Sequence, residues 1–378
     1  MCCVHSIVVG QTPSLRGAPS PASGGLGETA EKEGPTEPTA FNQTDTDAKK
    51  GVSLVSPRFS AASGRPPQAE GLPHVTPLIA IAGPTGSGKS ALAVRIAEEF
   101  PGEIVNCDSL QLYRGFDVGT AKTPGPPRRK IPHHLFDVLE PSERFSAGEY
   151  ASAARSAIEE ISARGRLPVI AGGTGFYLRA LLEGLPALPE RNQDLRDRLV
   201  ERERRKPGVL ARLLRRLDPA SRARVHARDT QKLIRALEVR ILTQRVRPQL
   251  AQAAQLQGYR VLKIGLNPDR QELYKTLDAR TRRMFDAGLL DEVRALMARG
   301  LSGLEKPFES LGYKQALHYL RGEATLEQAV VSTQTETRQY AKRQLTWFRK
   351  DPTIRWLDGF GGESRIESVA IETIRAFL

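Results

Sequence analysis

Residues 83–90 read GPTGSGKS, which matches the P-loop pattern GxxxxGK[ST] in full. The motif follows the apolar run at 78–82 and precedes a predicted helix over 91–100, which is the context that a P-loop requires. Glycines let the backbone wrap around a phosphate, and a helix N-terminus points N–H groups at it. Lys89 would add a positive charge, and the Ser90 hydroxyl suits Mg²⁺. We therefore predict that a polyphosphate or diphosphate binds to Gly83, Pro84, Thr85, Gly86, Ser87, Gly88, Lys89 and Ser90.

A carboxylate, Asp108, follows a second predicted strand over 103–107. Ligands of open α/β sheets bind at the carboxyl ends of the strands, so this carboxylate should face the P-loop ligand. Three roles are open for it on the residues alone: a Mg²⁺ ligand, a helix cap or a general base. Gln111, three residues further on, has an amide that could pair with an adenine edge.

The run GGTGFY at 172–177 ends a third predicted strand over 167–171. Its hydroxyl and backbone N–H groups could reach the same ligand, although the run alone is equally typical of a turn. The late segment 337–348 predicts a basic helix with an aromatic face. We expect Trp347 and Phe348 on that face to lie in the core.

Short apolar strands alternate with helical stretches, and this pattern predicts an α/β fold with a parallel sheet. We expect a P-loop NTPase-like core flanked by helices, interrupted by an Arg-rich helical insertion. A returning strand is predicted over 260–266 and a last one over 354–357. The predicted organisation is an N-terminal extension at 1–75, the first part of the core at 76–188, the insertion at 189–256, and the second part of the core with C-terminal helices at 257–378.

The net charge of +13 is concentrated in one stretch. Residues 191–245 hold 17 Lys and Arg against 7 Asp and Glu, whereas residues 1–75 hold 6 against 7. The excess of +10 in the helical stretch has two interpretations, which are a set of solvated helix faces or a surface for nucleic acid. The extension at 1–75 is rich in Gly, Pro, Ser, Thr and Ala and is predicted to be disordered.

Cysteine usage and hydropathy exclude several classes of protein. The three cysteines form no CxxC pair, which excludes a disulfide framework and a cysteine-based zinc site and suits a reducing cytoplasm. No apolar run approaches the ~20 residues that span a bilayer, so we expect a soluble protein without a membrane partner. The first residues lack a signal-peptide core and are too acidic for a transit peptide.

Several further blocks occur together and in order with the P-loop, and they carry a resemblance to a known family. They are DSLQLY at 108–113, VGTAK at 118–122, PHH at 132–134, AGGTGFYLRALLEGL at 171–185, DTQKLIRALEV at 229–239, LGYKQ at 311–315 and TRQYAKRQLTWFRK at 337–350. Over residues 77–358 the chain resembles the tRNA dimethylallyltransferases of the bacterial type.

The resemblance implies transfer of a dimethylallyl group from its diphosphate to N6 of adenosine 37, which lies 3′ of the anticodon of a tRNA. The P-loop would then hold the diphosphate leaving group with Mg²⁺, and Asp108 would accept the N6 proton. Thr174 and Lys89 would steady the developing charge on the diphosphate. Arg280, in a pattern that ends at Met284, would contact the diphosphate as well.

The resemblance also implies a set of tRNA contacts, and it is consistent with the monomer that we expect. Glu309, Ser310 and Lys314 stand where relatives often have Arg, Cys and Arg, so the resemblance leaves the role of Glu309 open. The implied tRNA-binding residues are Asp108, Ser109, Leu110, Gln111, Thr174, Arg196, Gln231, Lys232, Leu233, Ile234, Arg235, Glu309, Ser310, Leu311, Gly312, Tyr313 and Lys314.

Two other functions are compatible with the P-loop and Asp108 alone. The first is a kinase or an adenylate prenyltransferase with a small substrate, and the second is a non-catalytic RNA-binding NTPase. The Arg-rich stretch at 191–245 argues for a large nucleic-acid substrate.

Overall fold

Six parallel strands form one sheet in the computed structural model, which describes residues 75–122, 130–245 and 254–378. The strand order is β3-β2-β4-β1-β5-β6, and every pairing is parallel. The α/β prediction is therefore confirmed. The predicted disorder of the extension concerns residues that lie, apart from position 75, outside the described ranges. The strands are β1 Thr76–Ala82, β2 Gly102–Asn106, β3 His133–His134, β4 Leu167–Ala171, β5 Tyr259–Leu266 and β6 Ile354–Leu357.

Helices connect these strands, and the helix predicted over 91–100 after the P-loop begins two residues earlier, at Lys89. The run GGTGFY, which the sequence alone leaves equally typical of a turn, leads directly into the helix Gly175–Glu183. The α-helices are α1 Lys89–Glu99, α2 Ala147–Ala163, α3 Gly175–Glu183, α4 Gln193–Arg205, α5 Val209–Leu217, α6 Pro219–Arg224, α7 Thr230–Thr243, α8 Arg270–Asp286, α9 Leu289–Ala298, α10 Tyr313–Leu320, α11 Leu326–Phe348 and α12 Ser364–Phe377.

The central strand β1 is buried on both faces, as its continuous apolar run predicts. Successive side chains of a strand point to opposite faces, so Leu78 and Ala80 enter one core while Ile79 and Ile81 enter the other. Helices α2 and α3 cover the first face, and α1 and α12 cover the second. Packing from both sides fixes the carboxyl end of β1, where the P-loop begins.

The Arg-rich helices α4 to α7 bury a hydrophobic cluster of their own. Leu199, Leu210, Leu214 and Leu237 form its centre, each with at most 4% of its surface exposed. The helical character predicted for this stretch is confirmed. Its status as an insertion bounded at 189 and 256 stays a prediction, because all described residues belong to one compact unit. In the three described ranges, no helix is both long and apolar enough to cross a membrane.

Backbone hydrogen bonds join the carboxyl ends of β2, β4 and β1. Cys107 N donates to Ala171 O at 2.9 Å, and Gly172 N donates to Ile81 O at 3.4 Å. Gly172 lies so close to the Cys107 carbonyl group that a Cβ on this glycine would overlap it. The turn after β4 can therefore pack against the turn after β2 only because position 172 lacks a side chain.

Gly172→Ala should lower the free energy of unfolding by about 3 kcal/mol, because the added methyl group must displace backbone rather than a flexible side chain. Urea denaturation checks this value. Gly148→Ala is the matched control, since this glycine lies in the first turn of α2 and its Cβ would meet only Ser146 Oγ at 3.7 Å. The control should be neutral or slightly stabilising, and equal stabilities of the two variants would contradict the packing argument.

Candidate functional site

The P-loop runs from Ala82 of β1 to Lys89, the first residue of α1, and its glycines adopt the conformations that wrap a backbone around an anion. Gly86 and Gly88 have φ of +78° and +85°, a region that residues with a side chain rarely adopt. The loop is fixed from outside by Gly361, whose N–H donates to Ser87 O at 2.9 Å. The Ser87 hydroxyl is fully buried and has no hydrogen-bond partner within the described ranges. An unsatisfied buried hydroxyl is expensive, and a bound anion would satisfy it.

Lys89 places its ammonium inside this loop. Its Nζ donates to Pro84 O at 2.7 Å. Burial lowers the pKa of Lys89 to about 8, an effect that the Asp108 carboxylate opposes and the Arg280 guanidinium reinforces. The amine therefore gains its full positive charge only below that pH or when an anion is nearby.

Asp108 lies two residues beyond β2, and Asn106 fixes its backbone on both sides. Asn106 Oδ1 accepts from Asp108 N at 2.9 Å, and Asn106 Nδ2 donates to Asp108 O at 3.0 Å. One carboxylate oxygen, Oδ1, accepts from Leu110 N at 3.0 Å. The second oxygen, Oδ2, accepts no hydrogen bond from any described residue. The carboxylate is therefore oriented through one oxygen, and the other can accept a proton.

Thr174 ties the turn after β4 to the turn after β2. Its Oγ1 accepts from Ser109 N at 3.1 Å, and its backbone N donates to Cys107 O at 3.1 Å. These bonds bring Thr174 beside the residues that flank Asp108. The structure thus joins two segments whose groups the sequence predicts to reach the same ligand.

Gln344 connects the P-loop to the turn after β4, and the sequence reading did not single it out. Its Oε1 accepts from Thr85 N at 2.8 Å, and its Nε2 donates to Gly173 O at 2.8 Å. The residue is 6% exposed. One turn earlier on α11, burial and the nearby Asp108 carboxylate raise the pKa of Tyr340. The only available signal was that both residues lie in the block at 337–350.

Arg280 reaches the P-loop from α8. Its Nη1 lies 3.4 Å from Thr85 Oγ1. Burial lowers the pKa of Arg280, while the Asp108 carboxylate opposes that shift. The structure therefore brings Lys89, Asp108, Thr174 and Arg280 together around one loop. Within this group two cations accompany a single carboxylate, which favours an anionic ligand.

Gln111 is half-buried and is oriented by the VGTAK block. Its Nε2 donates to Thr120 O at 3.1 Å. The block is anchored by Lys122, which is 6% exposed and donates to Asp117 Oδ1 at 2.8 Å and Asp137 Oδ1 at 2.5 Å. With its N–H group engaged, Gln111 retains its Oε1 acceptor for an incoming group.

The predicted tRNA-binding residues of the helical stretch fall into two groups. Gln231 and Lys232 are exposed at the start of α7, whereas the side chains of Leu233 and Ile234 lie in the helical core. Arg196 is 8% exposed and Arg235 is half-buried. Both bind the fully buried Glu238, at 3.1 and 2.6 Å. In this conformation Arg196 joins α4 to α7 through Glu238, whereas Arg235 pairs with Glu238 within α7 and donates to Pro189 O at 3.0 Å. The assignment of both residues to tRNA stays a prediction.

The loop before α10 also divides into exposed and buried residues. Glu309 ends a short 3-10 helix, Lys306–Glu309, and forms an ion pair with Lys306. Lys314 is exposed, Ser310 and Leu311 are half-buried, and Gly312 is buried. The fully buried Tyr313 donates its hydroxyl to Glu292 and accepts from Gly119 N at 3.1 Å. In this conformation Tyr313 supports the VGTAK block from inside, and its predicted contact with tRNA is untested.

The described residues contain no cluster of three or more His, Cys, Asp or Glu that would form a metal cage. The Ser90 side chain is exposed at the start of α1 and offers one hydroxyl. Mg²⁺ commonly keeps several waters and is held by substrate phosphates with only one or two protein groups. The exposed Ser90 hydroxyl fits a Mg²⁺ ion that is bound mainly through a phosphate ligand.

A glycine-rich loop at a helix N-terminus, on the central strand of a parallel sheet, defines a P-loop protein of the α/β class. Residues 111–351 match the family model described as IPP transferase. The chain belongs to this family, and curated relatives similar to it carry the name tRNA dimethylallyltransferase.

Three relatives illustrate the extent of the match. A tRNA dimethylallyltransferase of Solibacter usitatus is 59% identical over 304 residues, which cover 80% of this chain and 99% of the relative. The structure of a tRNA isopentenylpyrophosphate transferase from Bacillus halodurans is 35% identical, with a TM-score of 0.59 and coverage of 80% and 96% of the two chains. A eukaryotic dimethylallyltransferase acting on tRNA is 27% identical, with a TM-score of 0.67 and coverage of 80% of each chain.

The lowered pKa of Lys89 predicts how the affinity for a simple alkyl diphosphate depends on pH. Below pH 8 the ammonium is charged before and after binding, so the dissociation constant should be constant. Above pH 8 the free protein must take up a proton to bind the anion, so affinity should fall about tenfold per pH unit. Isothermal titration between pH 7 and pH 9.5 checks this. Lys89→Met should bind weakly at every pH, and a constant affinity in the unchanged protein would contradict the prediction.

Proposed function

We propose that this chain transfers a dimethylallyl group from dimethylallyl diphosphate to N6 of adenosine 37 in tRNA and releases diphosphate. The observation that carries the proposal is the Oδ2 of Asp108, which accepts no hydrogen bond from any described residue and stands beside a P-loop with two half-buried cations. Membership of the IPP transferase family supports both the donor and the acceptor.

In the proposed reaction the target base leaves its stack and enters the site, as base-modifying enzymes require. The N6 amine attacks the first carbon of the donor, the new N–C bond forms, and the bond from that carbon to the diphosphate oxygen breaks. Asp108 accepts the proton that N6 loses. Gln111 is placed to orient the adenine through its free Oε1 acceptor.

The developing charge on the diphosphate meets positive groups that are already in place. Lys89 contacts the P-loop at Pro84 and Arg280 contacts it at Thr85, and the loop leads into the N-terminus of α1 with its N–H groups. Thr174 adds a hydroxyl from the turn after β4. We therefore propose that the P-loop holds the leaving group rather than the nucleotide that such loops often bind.

We further propose that Mg²⁺ accompanies the diphosphate, with Ser90 as its protein ligand. When it is bound, the ion neutralises charge that appears on the leaving oxygen. The chain itself would hold the diphosphate through Lys89, Arg280 and the P-loop backbone.

The tRNA is proposed to bind across the Arg-rich helices and the site. The exposed Gln231 and Lys314 are available for phosphate contacts, whereas Lys232 would first leave its ion pair with Asp229 at 2.6 Å. The net charge of +10 over 191–245 favours a polyanion. We propose that residues 189–256 form the tRNA-binding insertion and that the protein acts as a monomer.

Labelled dimethylallyl diphosphate, supplied with either tRNA or AMP, tests the proposed function. Label should appear in the tRNA at adenosine 37, detected by mass spectrometry of nucleosides, and chelation by EDTA should abolish the transfer. Transfer to AMP alone would identify an adenylate prenyltransferase instead. Hydrolysis of ATP or GTP without any transfer would identify an RNA-binding NTPase.

Asp108→Ala should lower turnover by about a hundredfold or more, the usual scale for the loss of a general base, while tRNA affinity changes little. Single-turnover transfer and a filter-binding assay measure the two quantities. Asp108→Asn is the matched control because it keeps the shape and the hydrogen bond from Leu110 N but lacks a basic oxygen. It should be as inactive as the alanine variant, and full activity in either variant would remove Asp108 from the mechanism.

A further inference from the structure

Two aromatic side chains lie exposed beside the turn after β4, at a place where the sequence reading expected core. Phe176 is 48% exposed and Trp347 is 40% exposed, and their rings meet edge to face with centroids 6.4 Å apart. The expectation that Trp347 is buried was wrong, whereas Phe348 is buried as expected, with 3% of its surface exposed. The aromatic face of α11 is therefore divided between core and surface.

Contacts with residues of the candidate site determine the position of Phe176 and Trp347. The Trp347 indole packs directly against the backbone of Gly175, where a Cβ would overlap the ring. Gly175 follows Thr174, which is bonded to Ser109 beside Asp108. On the same helix face, one turn before Trp347, Gln344 contacts the P-loop. Phe176 and Trp347 therefore extend the surface of the candidate site toward solvent.

Positive charges flank the indole at the exposed end of α11. Arg343 precedes Trp347 by four residues on the helix and therefore lies next to it. Lys350 lies in the turn that follows the helix, where its backbone N donates to Trp347 O at 3.2 Å. Both are exposed, and neither forms an ion pair in the part of the chain that the structure describes. Exposed aromatic rings interleaved with free cations are typical of surfaces that bind single-stranded nucleic acid, where bases stack on the rings and phosphates meet the charges.

We propose that Phe176 and Trp347 stack an unpaired nucleobase of the substrate RNA next to the target base, while Arg343 and Lys350 contact its phosphates. This inference rests on the proposed function, because it takes the RNA loop as the occupant of the surface. A flipped target base leaves its neighbours unstacked, and a ring pair at the mouth of the site replaces the lost stacking. The exposure of both rings and the adjacent charges favour a base over the apolar chain of the donor.

Tryptophan emission reports directly on this contact, because the chain contains only two tryptophans, Trp347 and Trp356. Titration with an anticodon stem-loop oligonucleotide, without donor, should quench the emission of the unchanged protein. Trp347→Phe should lose the quenching yet keep most of its affinity, since phenylalanine still offers a ring. Unchanged emission at saturating stem-loop would overturn the proposal.

Kinetics separate the RNA from the donor as occupant. Trp347→Ala should raise the KM for tRNA about tenfold and leave kcat and the KM for dimethylallyl diphosphate nearly unchanged, in line with the loss of one stacked base. Val331→Ala, at a residue 46% exposed on the same helix, is the control and should change nothing. A raised KM for the donor alone would show that the pair covers the prenyl group, and unchanged constants would show that the surface binds neither.

The charges are tested through salt dependence. Arg343→Gln and Lys350→Gln should each reduce the slope of log affinity against log salt by about 0.7, the value for one phosphate contact on a single strand. The binding measurements need no turnover. Quenching by the stem-loop without transfer of label would therefore contradict the proposed function but would still support stacking of a base on this surface. If label is transferred to tRNA but the stem-loop does not quench the emission, and if Trp347→Ala leaves the KM for tRNA unchanged, the stacking proposal is wrong and the proposed function is unaffected.

Discussion

Two half-buried cations near one carboxylate are the constraint on which the rest of the site depends. Lys89 and Arg280 lie beside Asp108 and the P-loop, and burial lowers the pKa of both cations. An excess of positive charge that is partly withdrawn from water is costly unless an anion compensates it. The site is therefore organised for a ligand that brings negative charge, and the sheet, the glycines of the loop and helix α8 hold the cations in position before that ligand arrives.

The sequence predicted the parts of this arrangement that depend on neighbours along the chain. The apolar run before Gly83 located β1, and the rule that ligands bind at strand ends placed Asp108 near the P-loop. The sequence did not predict Gln344 as a site residue, because its partner Thr85 lies 259 residues away and no local pattern indicates such a contact. The prediction that Trp347 lies in the core was wrong for a related reason. Helical periodicity identifies an apolar face of a helix but does not show where the surface that covers this face ends.

The distribution of charge in the helical stretch shows why composition alone overstates a binding surface. Arg196 and Arg235 are counted in the excess of +10, yet both bind the buried Glu238. Arg204 and Arg205 similarly share Glu201 on an exposed face. Some of these cations therefore hold helices together or are paired locally. Lys314 and Lys350, which lie outside 191–245 and are not counted in that excess, are exposed and form no ion pair with any described residue.

The contact between Ser87 and Gly361 has a consequence for the order in which the protein is made. The P-loop is synthesised before Gly361, which fixes its backbone, and before α8 with Arg280. Chains fold from the N-terminus as they emerge from the ribosome. A nascent chain that contains GPTGSGKS but has not reached Gly361 lacks residues that complete its anion site. The complete anion site therefore forms only after Gly361 has been synthesised, when the surfaces proposed to receive the RNA are present as well.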